Sequence, residues 1–337
     1  MNTTDPATTA ATMMAPGHGI LAADESVATM SRRLVVAGVP ATGENRRAYR
    51  ELLVTTPGLA DGISGVILCE ETFGQSLSDG RPFPQALADM GVLPGIKVDT
   101  GTTPLAGSMV EKVTEGLDGL GGRLDRFAEL GARFAKWRAV IVIGDGLPSR
   151  RARHANAHAL ARYARLCQAA GLVPIVEPEV LMDGPHPISH CAAATALTLA
   201  DVFAELRAFG VRLDGIVLKP NMVLPGADSG DVAEPDEVAR ATVGTLQTVV
   251  PPDVAGVAFL SGGQRPATAT ANLAAIRRLP TPWPVTFSFG RALVAPALAA
   301  WAGRPDQVAA GQWALASRIG HNTAVLTDRG PLVRAGD

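Results

Sequence analysis

The segment Phe134-Ala-Lys-Trp-Arg-Ala-Val-Ile-Val-Ile143 is an apolar run that contains two cationic side chains. After it comes a segment, 149–171, in which apolar residues recur at helical spacing, and Gly171 is placed to end that helix. A second apolar run, 173–177, follows directly. Strand, helix and strand in this order predict a βαβ unit, whose two strands lie parallel in one sheet.

The same alternation continues in both directions along the chain. Eight apolar runs begin roughly 30 to 45 residues apart, which is the length of a βα unit. They span 20–24, 65–70, 95–99, 134–143, 173–177, 215–219, 256–261 and 285–288. Such runs are typical of strands buried on both faces. Eight units favour a closed (β/α)8 TIM barrel, an α/β fold, over an open doubly wound sheet.

The domain prediction follows from this regular alternation. No linker of low complexity and no block of charge divides the sequence. We therefore expect a single domain over 1–337, with the barrel core at about 17–302. A short N-terminal extension precedes the barrel, and a helical segment follows it after about Gly303.

Composition excludes several classes of partner. The 337 residues carry a formal net charge of −2, which gives no electrostatic reason to expect nucleic acid or an anionic membrane as partner. No apolar stretch approaches the roughly 18 residues of a membrane span, and 1–16 lacks the basic start of a signal peptide. Three scattered cysteines do not suggest a disulfide framework. We expect a cytoplasmic protein.

The lysines are few and unusually placed. Lys and Arg total 30, but only four are lysine, and three of these, Lys97, Lys136 and Lys219, lie in apolar segments. Unlike arginine, lysine can lose its proton and act as an amine nucleophile. The alternative is that each is a strand-end lysine whose ammonium group reaches solvent.

Polar residues close the apolar runs. In a (β/α)8 barrel the carboxyl ends of the strands meet at one mouth, where catalytic groups lie. We expect the following residues to converge there: Asp24, Glu70, Lys97, Lys136, Glu177, Lys219, Ser261 and Ser288. Strand alternation also places Arg138 beside Lys136, Glu179 beside Glu177, and Ser26 beside Asp24.

These residue types favour Schiff-base chemistry. The ammonium form of a lysine in an apolar strand is disfavoured by desolvation and by nearby positive charge, so the amine can attack a carbonyl. The iminium that results is an electron sink for breaking a carbon–carbon bond. A carboxyl acid/base must assist, and Glu177 and Asp24 suit that role. Alternatively, Glu177 and Glu179 are structural partners of Lys136 or Arg138.

Two glycine-bearing turns follow the last two strands. They are Ser261-Gly-Gly-Gln264 and Ser288-Phe-Gly-Arg291. Loops at this place in the fold often bind phosphate through backbone N–H groups and a helix N-terminus, and Arg291 would add a charged contact. Each turn alone is equally compatible with an ordinary tight turn.

Metal and nucleotide sites have little support. His154 and His158, like His186 and His190, are four residues apart, but neither pair belongs to a known metal motif. We interpret them as solvated or capping histidines. The sequence contains neither a Walker-type loop nor a Gly-x-Gly-x-x-Gly signature.

At these residues the chain closely resembles the class I (Schiff-base-forming) fructose-bisphosphate aldolases. The matching motifs cover about 17–301 in family order: Gly19-Ile-Leu-Ala-Ala-Asp-Glu-Ser26, Glu44-Asn-Arg-Arg47, Gly80-Arg-Pro-Phe-Pro-Gln85, Gly95-Ile-Lys-Val-Asp99, Pro104-Leu-Ala-Gly107, Gly116-Leu-Asp-Gly119, Phe134-Ala-Lys-Trp-Arg138, Val173-Pro-Ile-Val-Glu-Pro-Glu179, Leu218-Lys-Pro-Asn-Met222, Phe259-Leu-Ser-Gly-Gly-Gln264 and Phe287-Ser-Phe-Gly-Arg-Ala-Leu293. None of these motifs is specific by itself, whereas together they are.

The resemblance implies an aldehyde-lyase of glycolysis and gluconeogenesis. Its substrate is a sugar phosphate, fructose 1,6-bisphosphate, which it cleaves reversibly into dihydroxyacetone phosphate and glyceraldehyde 3-phosphate. The resemblance also implies a covalent lysine imine with no metal or other cofactor, and a homo-oligomer, by family habit a tetramer.

The resemblance further implies a role for each site residue. Lys219 is the Schiff-base nucleophile, Glu177 is the principal acid/base with Glu179 beside it, and Asp24 helps to deprotonate the C4 hydroxyl. Positive charge that orients substrate comes from Lys136 and Arg138. The C1 phosphate site comprises Ser261, Gly262, Ser288, Gly290 and Arg291. The C6 phosphate region comprises Ser26, Thr29, Arg33 and Lys97, where Thr29 replaces the usual serine.

One departure concerns proton exchange. Animal members of the family use a tyrosine at the end of a flexible tail, whereas the only tyrosines here are Tyr49 and Tyr163, both in predicted helices. Another acid or water would do that step, or the step is slow.

Two rival functions remain open from the sequence. One is a Schiff-base lyase or transaldolase-like enzyme that acts on a related sugar phosphate. The other is a scaffold or binding relative that kept the barrel and lost turnover, which the intact set of Asp24, Lys136, Glu177 and Lys219 disfavours.

Overall fold

Eight parallel strands close into a barrel in this computed structural model, which describes residues 5–327. The barrel strands are β1 (Gly19–Ala23), β2 (Ile63–Leu68), β3 (Leu93–Lys97), β6 (Phe134–Ile141), β7 (Val173–Val180), β8 (Val217–Leu218), β9 (Gly256–Phe259) and β10 (Val285–Phe289). They follow one another in this order around the barrel, and β10 pairs with β1 to close it. Each overlaps one predicted apolar run, so the predicted (β/α)8 barrel is confirmed.

Helices surround the barrel and alternate with its strands. They are α1 (Pro6–Met13), α2 (Val27–Val36), α3 (Gly43–Val54), α4 (Glu70–Phe73), α5 (Phe83–Asp89), α6 (Leu120–Glu129), α7 (Arg150–Ala169), α8 (Ile188–Ala208), α9 (Pro235–Val249), α10 (Pro266–Arg277), α11 (Arg291–Trp301) and α12 (Val308–Thr327). Local sequence fixes several starts: the side chains of Ser26 and Ser149 cap α2 and α7, and Pro235 begins α9. Among the helices described, none is long and apolar enough to cross a membrane.

The predicted extensions are helical as far as they are described. Helix α1 lies in the N-terminal extension, and α12 forms the C-terminal segment. Residues 1–4 and 328–337 of the predicted domain lie outside the described residues. That the whole chain is one domain stays a prediction.

A small hairpin was not predicted. Strands β4 (Gly101–Pro104) and β5 (Lys112–Glu115) pair antiparallel between β3 and α6. The buried carboxylate of Glu111 accepts hydrogen bonds from the backbone N–H and the hydroxyl of Ser149, both at 2.7 Å. These bonds attach the hairpin to the start of α7, above the barrel strands.

The amino end of the barrel is closed by an apolar floor. Met13 and Met14, at the end of α1, pack with Phe134 and neighbouring strand residues into one buried cluster. Glycine makes room for the large rings: a Cβ at Gly95 would lie 2.2 Å from the ring of Phe134. The hydroxyl of Ser64 donates a hydrogen bond to the Met13 carbonyl at 2.7 Å, which ties the helix to β2.

Candidate active site

A polar cavity of about 460 Å³ opens at the carboxyl ends of the barrel strands. All the predicted site residues line it: Asp24, Ser26, Thr29, Arg33, Lys97, Lys136, Arg138, Glu177, Glu179, Lys219, Ser261, Gly262, Ser288, Gly290 and Arg291. They lie on seven of the eight barrel strands or on the loops and helices that follow those strands. The fold thus brings together what the sequence separates, while the roles of the residues stay predictions.

One residue expected at the mouth lies elsewhere. Glu70 is the first residue of α4, its side chain is 55% exposed, and it pairs with Arg123 and Arg126. Strand β2 ends at Leu68, and the chain turns into a helix before the carboxylate can point into the barrel. The prediction that Glu70 converges with the other strand-end residues was wrong.

Two lysines and two carboxylates alternate at the centre of the cavity. Lys219 Nζ lies 3.1 Å from Glu177 Oε1, and Lys136 Nζ lies 3.4 Å from Glu177 Oε2. Lys136 Nζ also lies 2.6 Å from Asp24 Oδ2. All four side chains are buried. Glu177 therefore bridges the two lysines. Neither Lys136 nor Lys219 is a strand-end lysine whose ammonium group reaches solvent, which was the alternative interpretation.

The two lysines differ in how many carboxylates they contact, and this difference affects their suitability as nucleophiles. Burial alone would raise the pKa of Asp24, but the charges of Lys136 and Lys219 outweigh burial and lower it well below its usual range. Burial alone would lower the pKa of Lys136, whereas Asp24 and Glu177 raise it above its usual range. Lys136 is thus held as a cation at neutral pH, which is unsuited to nucleophilic attack. Lys219, whose single carboxylate partner is Glu177 among the described residues, is the better candidate nucleophile.

A second ring of ion pairs surrounds the centre. Arg138 Nε donates a hydrogen bond to Glu179 Oε2, so the Glu179 side chain already has a cationic partner. Lys97 Nζ lies 2.6 Å from Asp99 Oδ1 and donates to the Asp99 carbonyl at 2.7 Å. The other oxygen of Asp99 accepts a hydrogen bond from the Arg138 backbone N–H. Asp99 also lines the cavity, and sequence reasoning missed it although it lies two residues beyond Lys97.

The two glycine-bearing turns face each other across one side of the cavity. Gly263 has φ +88°, and a Cβ there would lie 3.1 Å from Arg291 Nη2, so the guanidinium reaches over the first turn. Ser288 Oγ is buried without a hydrogen-bond partner among the described residues. Gly290 directly precedes α11, so this helix starts at the cavity. A free hydroxyl, a guanidinium and a helix N-terminus together can bind an anion.

The start of α2 forms the neighbouring side of the cavity, next to the start of α11, because β1 pairs with β10. Ser26 Oγ accepts a hydrogen bond from the Thr29 backbone N–H at 3.3 Å, which caps the helix. One turn further on, Arg33 donates to Glu25, and Glu25 also lies 2.7 Å from buried Arg50. Glu25 lines the cavity and was also missed, since nothing in the local sequence distinguishes it from a solvated acid.

The tyrosines lie away from the cavity. Tyr49 in α3 donates a hydrogen bond to the Val294 carbonyl at 2.7 Å, and Tyr163 in α7 donates to the Ile175 carbonyl at 3.2 Å. Both are buried, as expected of residues in the helices that cover the barrel. Neither lines the cavity.

The histidine pairs do not form a metal centre. His154 and His158 lie on α7 within 3.6 Å and 3.2 Å of Glu205, whereas His186 precedes α8 and does not share its helix with His190. Within residues 5–327, no group of three or more histidine, cysteine or acidic side chains is arranged to hold a metal ion.

Comparison with known proteins agrees with this geometry. The family model for fructose-bisphosphate aldolase class I matches residues 6–329. A probable class 1 fructose-bisphosphate aldolase of Xylella fastidiosa is 55% identical over 88% of this chain and 89% of its own length. The cytosolic fructose-bisphosphate aldolase 4 of Arabidopsis thaliana is 52% identical over 91% of this chain and 79% of its own length.

A solved structure agrees as well. The fructose-bisphosphate aldolase of Plasmodium falciparum, solved with TRAP and a small-molecule inhibitor, superposes with a TM-score of 0.94 and is 44% identical. The match covers 97% of this chain and 95% of that one. Sequence, barrel and cavity lead to one conclusion: the chain belongs to the class I fructose-bisphosphate aldolases, lyases that reversibly cleave fructose 1,6-bisphosphate through a lysine Schiff base.

Proposed function

We propose that Lys219 is the amine that forms the Schiff base in this chain. The observation that carries the proposal is the 3.1 Å contact between Lys219 Nζ and Glu177 Oε1 inside the barrel mouth, where both side chains are buried. A lysine in that position is shielded from water and has an acid/base within hydrogen-bond reach, as imine formation requires. Lys136 is a poorer candidate because two carboxylates hold it as an ammonium ion.

The reaction then proceeds in balanced steps. Glu177 first takes a proton from the Lys219 ammonium group, the resulting amine adds to the C2 ketone, and Glu177 returns the proton so that the carbinolamine loses water and becomes an iminium ion. The C3–C4 bond breaks, its electrons move into the iminium to give an enamine, and the C4 hydroxyl proton passes to Asp24 as glyceraldehyde 3-phosphate leaves. Protonation at C3 by another acid or by water, followed by hydrolysis, releases dihydroxyacetone phosphate and restores the amine.

Neighbouring charges orient the substrate for these steps. Lys136 donates a hydrogen bond to Asp24 and forms an ion pair with Glu177, so it can hold the two carboxylates on either side of the reacting carbons. Glu179 and Arg138 form a pair at the edge of the cavity and position the substrate through that pair. Nothing in these steps needs a metal or another cofactor, because the iminium itself accepts the electrons.

The two phosphates bind at two different parts of the cavity rim in this proposal. The C1 phosphate binds at the glycine-bearing turns, and the C6 phosphate binds at the start of α2 together with Lys97. The support is that each side offers a helix N-terminus and at least one cation, which suits a phosphate dianion.

Borohydride trapping tests the assignment of Lys219. Reduction in the presence of dihydroxyacetone phosphate should add the three-carbon phosphate to one peptide, at Lys219. The Lys219→Arg variant should show neither labelling nor cleavage. Lys112→Arg is the matched control, because Lys112 lies on the exposed hairpin strand β5 outside the cavity. Labelling at Lys136, or cleavage by the Lys219→Arg variant at the parental rate, would contradict the mechanism.

We further propose that the chain works in the cytoplasm as a homo-oligomer, a tetramer by family resemblance. Support for the compartment comes from three buried cysteines that form no disulfide, and from the Arabidopsis relatives, which are named cytosolic. Light scattering should give four times the chain mass of 34.8 kDa, and a particle of one chain mass would contradict the tetramer.

A further inference from the structure

A buried arginine behind the cavity holds one of the carboxylates that line it. Arg50 lies on α3 with its side chain 2% exposed, and its Nη2 donates to Glu25 Oε2 at 2.7 Å and to the Glu25 carbonyl at 3.3 Å. Its Nη1 lies 3.0 Å from Met30 Sδ. These contacts fix the guanidinium on two sides. Glu25 lines the cavity, whereas Arg50 does not.

The Glu25 carboxylate, which Arg50 holds in place, also binds Arg33, an arginine that lines the cavity. Glu25 Oε1 accepts a hydrogen bond from Arg33 Nη1, while Oε2 accepts one from Arg50 Nη2. Arg33 lines the cavity with its side chain 30% exposed. A guanidinium has five N–H donors, so the bond to Glu25 leaves donors free for a ligand. The three residues form a line from the core to the cavity: Arg50, Glu25, Arg33.

Charge along this line also matters. Glu25 and Arg33 alone would be neutral as a pair, and the Glu25 carboxylate, which lines the cavity, would repel a phosphate. Arg50 offsets the charge of Glu25 from the buried side, which leaves the line with one net positive charge. Because the side chains of Arg50 and Glu25 are largely withdrawn from water, the interaction between their charges is stronger than it would be in bulk solvent.

We propose that Arg50 is a positioning residue for the phosphate that binds at Arg33, and that it thereby sets the preference of the enzyme for a sugar bisphosphate over a monophosphate. It acts through Glu25, without touching substrate, by fixing the direction of the Arg33 guanidinium. This inference rests on the proposed function, in which the C6 phosphate lies at the start of α2.

The test compares fructose 1,6-bisphosphate with fructose 1-phosphate, which lacks the phosphate concerned. In Arg50→Met, KM for the bisphosphate should rise about tenfold, since a charged hydrogen-bond partner is loosened. For fructose 1-phosphate, kcat/KM should stay within about twofold of the parent, because Arg33 has no phosphate to bind there. Arg50→Lys keeps the positive charge but loses the planar guanidinium with its several N–H donors, so KM for the bisphosphate should rise by a smaller factor.

Controls separate positioning from general damage. Arg47→Lys on the same helix is the matched control, since Arg47 pairs with Glu44 and Glu51 outside the cavity and should leave the ratio of the two substrates unchanged. In an Arg33→Met background, Arg50→Met should not change the ratio further, because the effect passes through Arg33. If Arg50→Met does not fold, Arg50→Lys decides the question in its place.

Three results would overturn the inference: folded Arg50 variants with the parental ratio, an equal loss on both substrates, or a parent enzyme without preference for the bisphosphate. Failure of the proposed function looks different. In that case the parent enzyme would not be trapped by borohydride at Lys219, even with a substrate that carries only the C1 phosphate.

Discussion

Asp24 and Lys136 form a buried ion pair in which Oδ2 and Nζ are 2.6 Å apart, although Asp24 directly follows β1, Lys136 lies on β6, and β2 and β3 stand between these strands in the barrel. The pair is part of the catalytic proposal, and it also affects stability. Asp24→Asn should lower the free energy of unfolding at pH 7 by about 3 kcal/mol, because a buried ammonium group loses its charged partner.

The pH dependence of that difference has a definite sign. The folded-state pKa of Asp24 lies below the unfolded value of about 3.9, so the stabilisation is complete well above pH 4 and is lost as the pH falls below it. Urea unfolding between pH 7 and pH 3 should show the difference in free energy of unfolding between the parent and Asp24→Asn becoming smaller towards the acid end. A difference that stays constant or grows towards pH 3 would contradict the pairing.

Glu177→Gln should slow catalysis with little effect on substrate binding. The amide can neither donate nor accept the proton that carbinolamine dehydration needs, so kcat should fall by about 10² to 10⁴-fold. KM should change little, because Glu177 contacts the two lysines and neither proposed phosphate region. Rapid-quench kinetics should locate the loss in imine formation. Glu205→Gln, outside the cavity on α8, is the control, and a parental kcat in Glu177→Gln would contradict the assignment.

Arg291→Met should weaken binding of both substrates. Fructose 1,6-bisphosphate and fructose 1-phosphate share the C1 phosphate, so KM should rise about 10- to 100-fold for each. This pattern differs from that expected of Arg50, where only the bisphosphate is affected. Steady-state kinetics with both sugars checks it, and an effect confined to the bisphosphate would place the C6 phosphate at Arg291 instead.

Removal of metal ions should leave the activity intact. In the proposed mechanism the imine of Lys219 accepts the electrons of the broken bond, so cleavage should proceed at the parental rate after exhaustive treatment with a chelator. The coupled assay should be run with enzymes that are themselves insensitive to the chelator. Activity that is lost and then restored by zinc would show that the reaction follows another course.

Gly95→Ala should destabilise the barrel floor. The new methyl group would lie 2.2 Å from the Phe134 ring, and overpacking of this kind costs about 1–3 kcal/mol. Adding Phe134→Leu should recover part of the loss, since the smaller side chain makes room. Gly122→Ala is the control, because a Cβ there meets nothing within 4 Å and an alanine suits the helix. Thermal unfolding that ranks Gly95→Ala with Gly122→Ala would contradict the floor contact.

The strands could be predicted because burial on both faces leaves a continuous apolar run. Most of the cavity followed from them, since the residue at the end of each run must lie at one mouth. Glu70 failed because the chain turns into α4 directly after β2, which no periodicity shows. The hairpin of β4 and β5 was missed since its short strands, such as Gly101–Pro104, are mostly polar and exposed.

Ion pairs between residues that are distant in sequence could not be predicted, because the local sequence does not show which residues meet in the fold. Glu25 and Arg50 lie 25 residues apart on a loop and a helix, and neither has a local pattern that would link them. A charged residue inside an otherwise amphipathic helix such as α3 is most simply interpreted as a solvated one. Its burial depends on how α3 packs against α2, which only the assembled structure determines.

The floor formed by Met13, Met14 and Phe134 lies at the amino end of the barrel, whereas the polar cavity lies at the carboxyl end. Integrity of the barrel depends on large apolar side chains at one end, while selectivity in the proposed mechanism depends on polar side chains at the other; the floor cluster and the cavity lining share Ala22 but no large or charged side chain. Loops at the rim can therefore be redesigned for another sugar in successive rounds, because such changes leave the apolar packing at the amino end of the barrel intact.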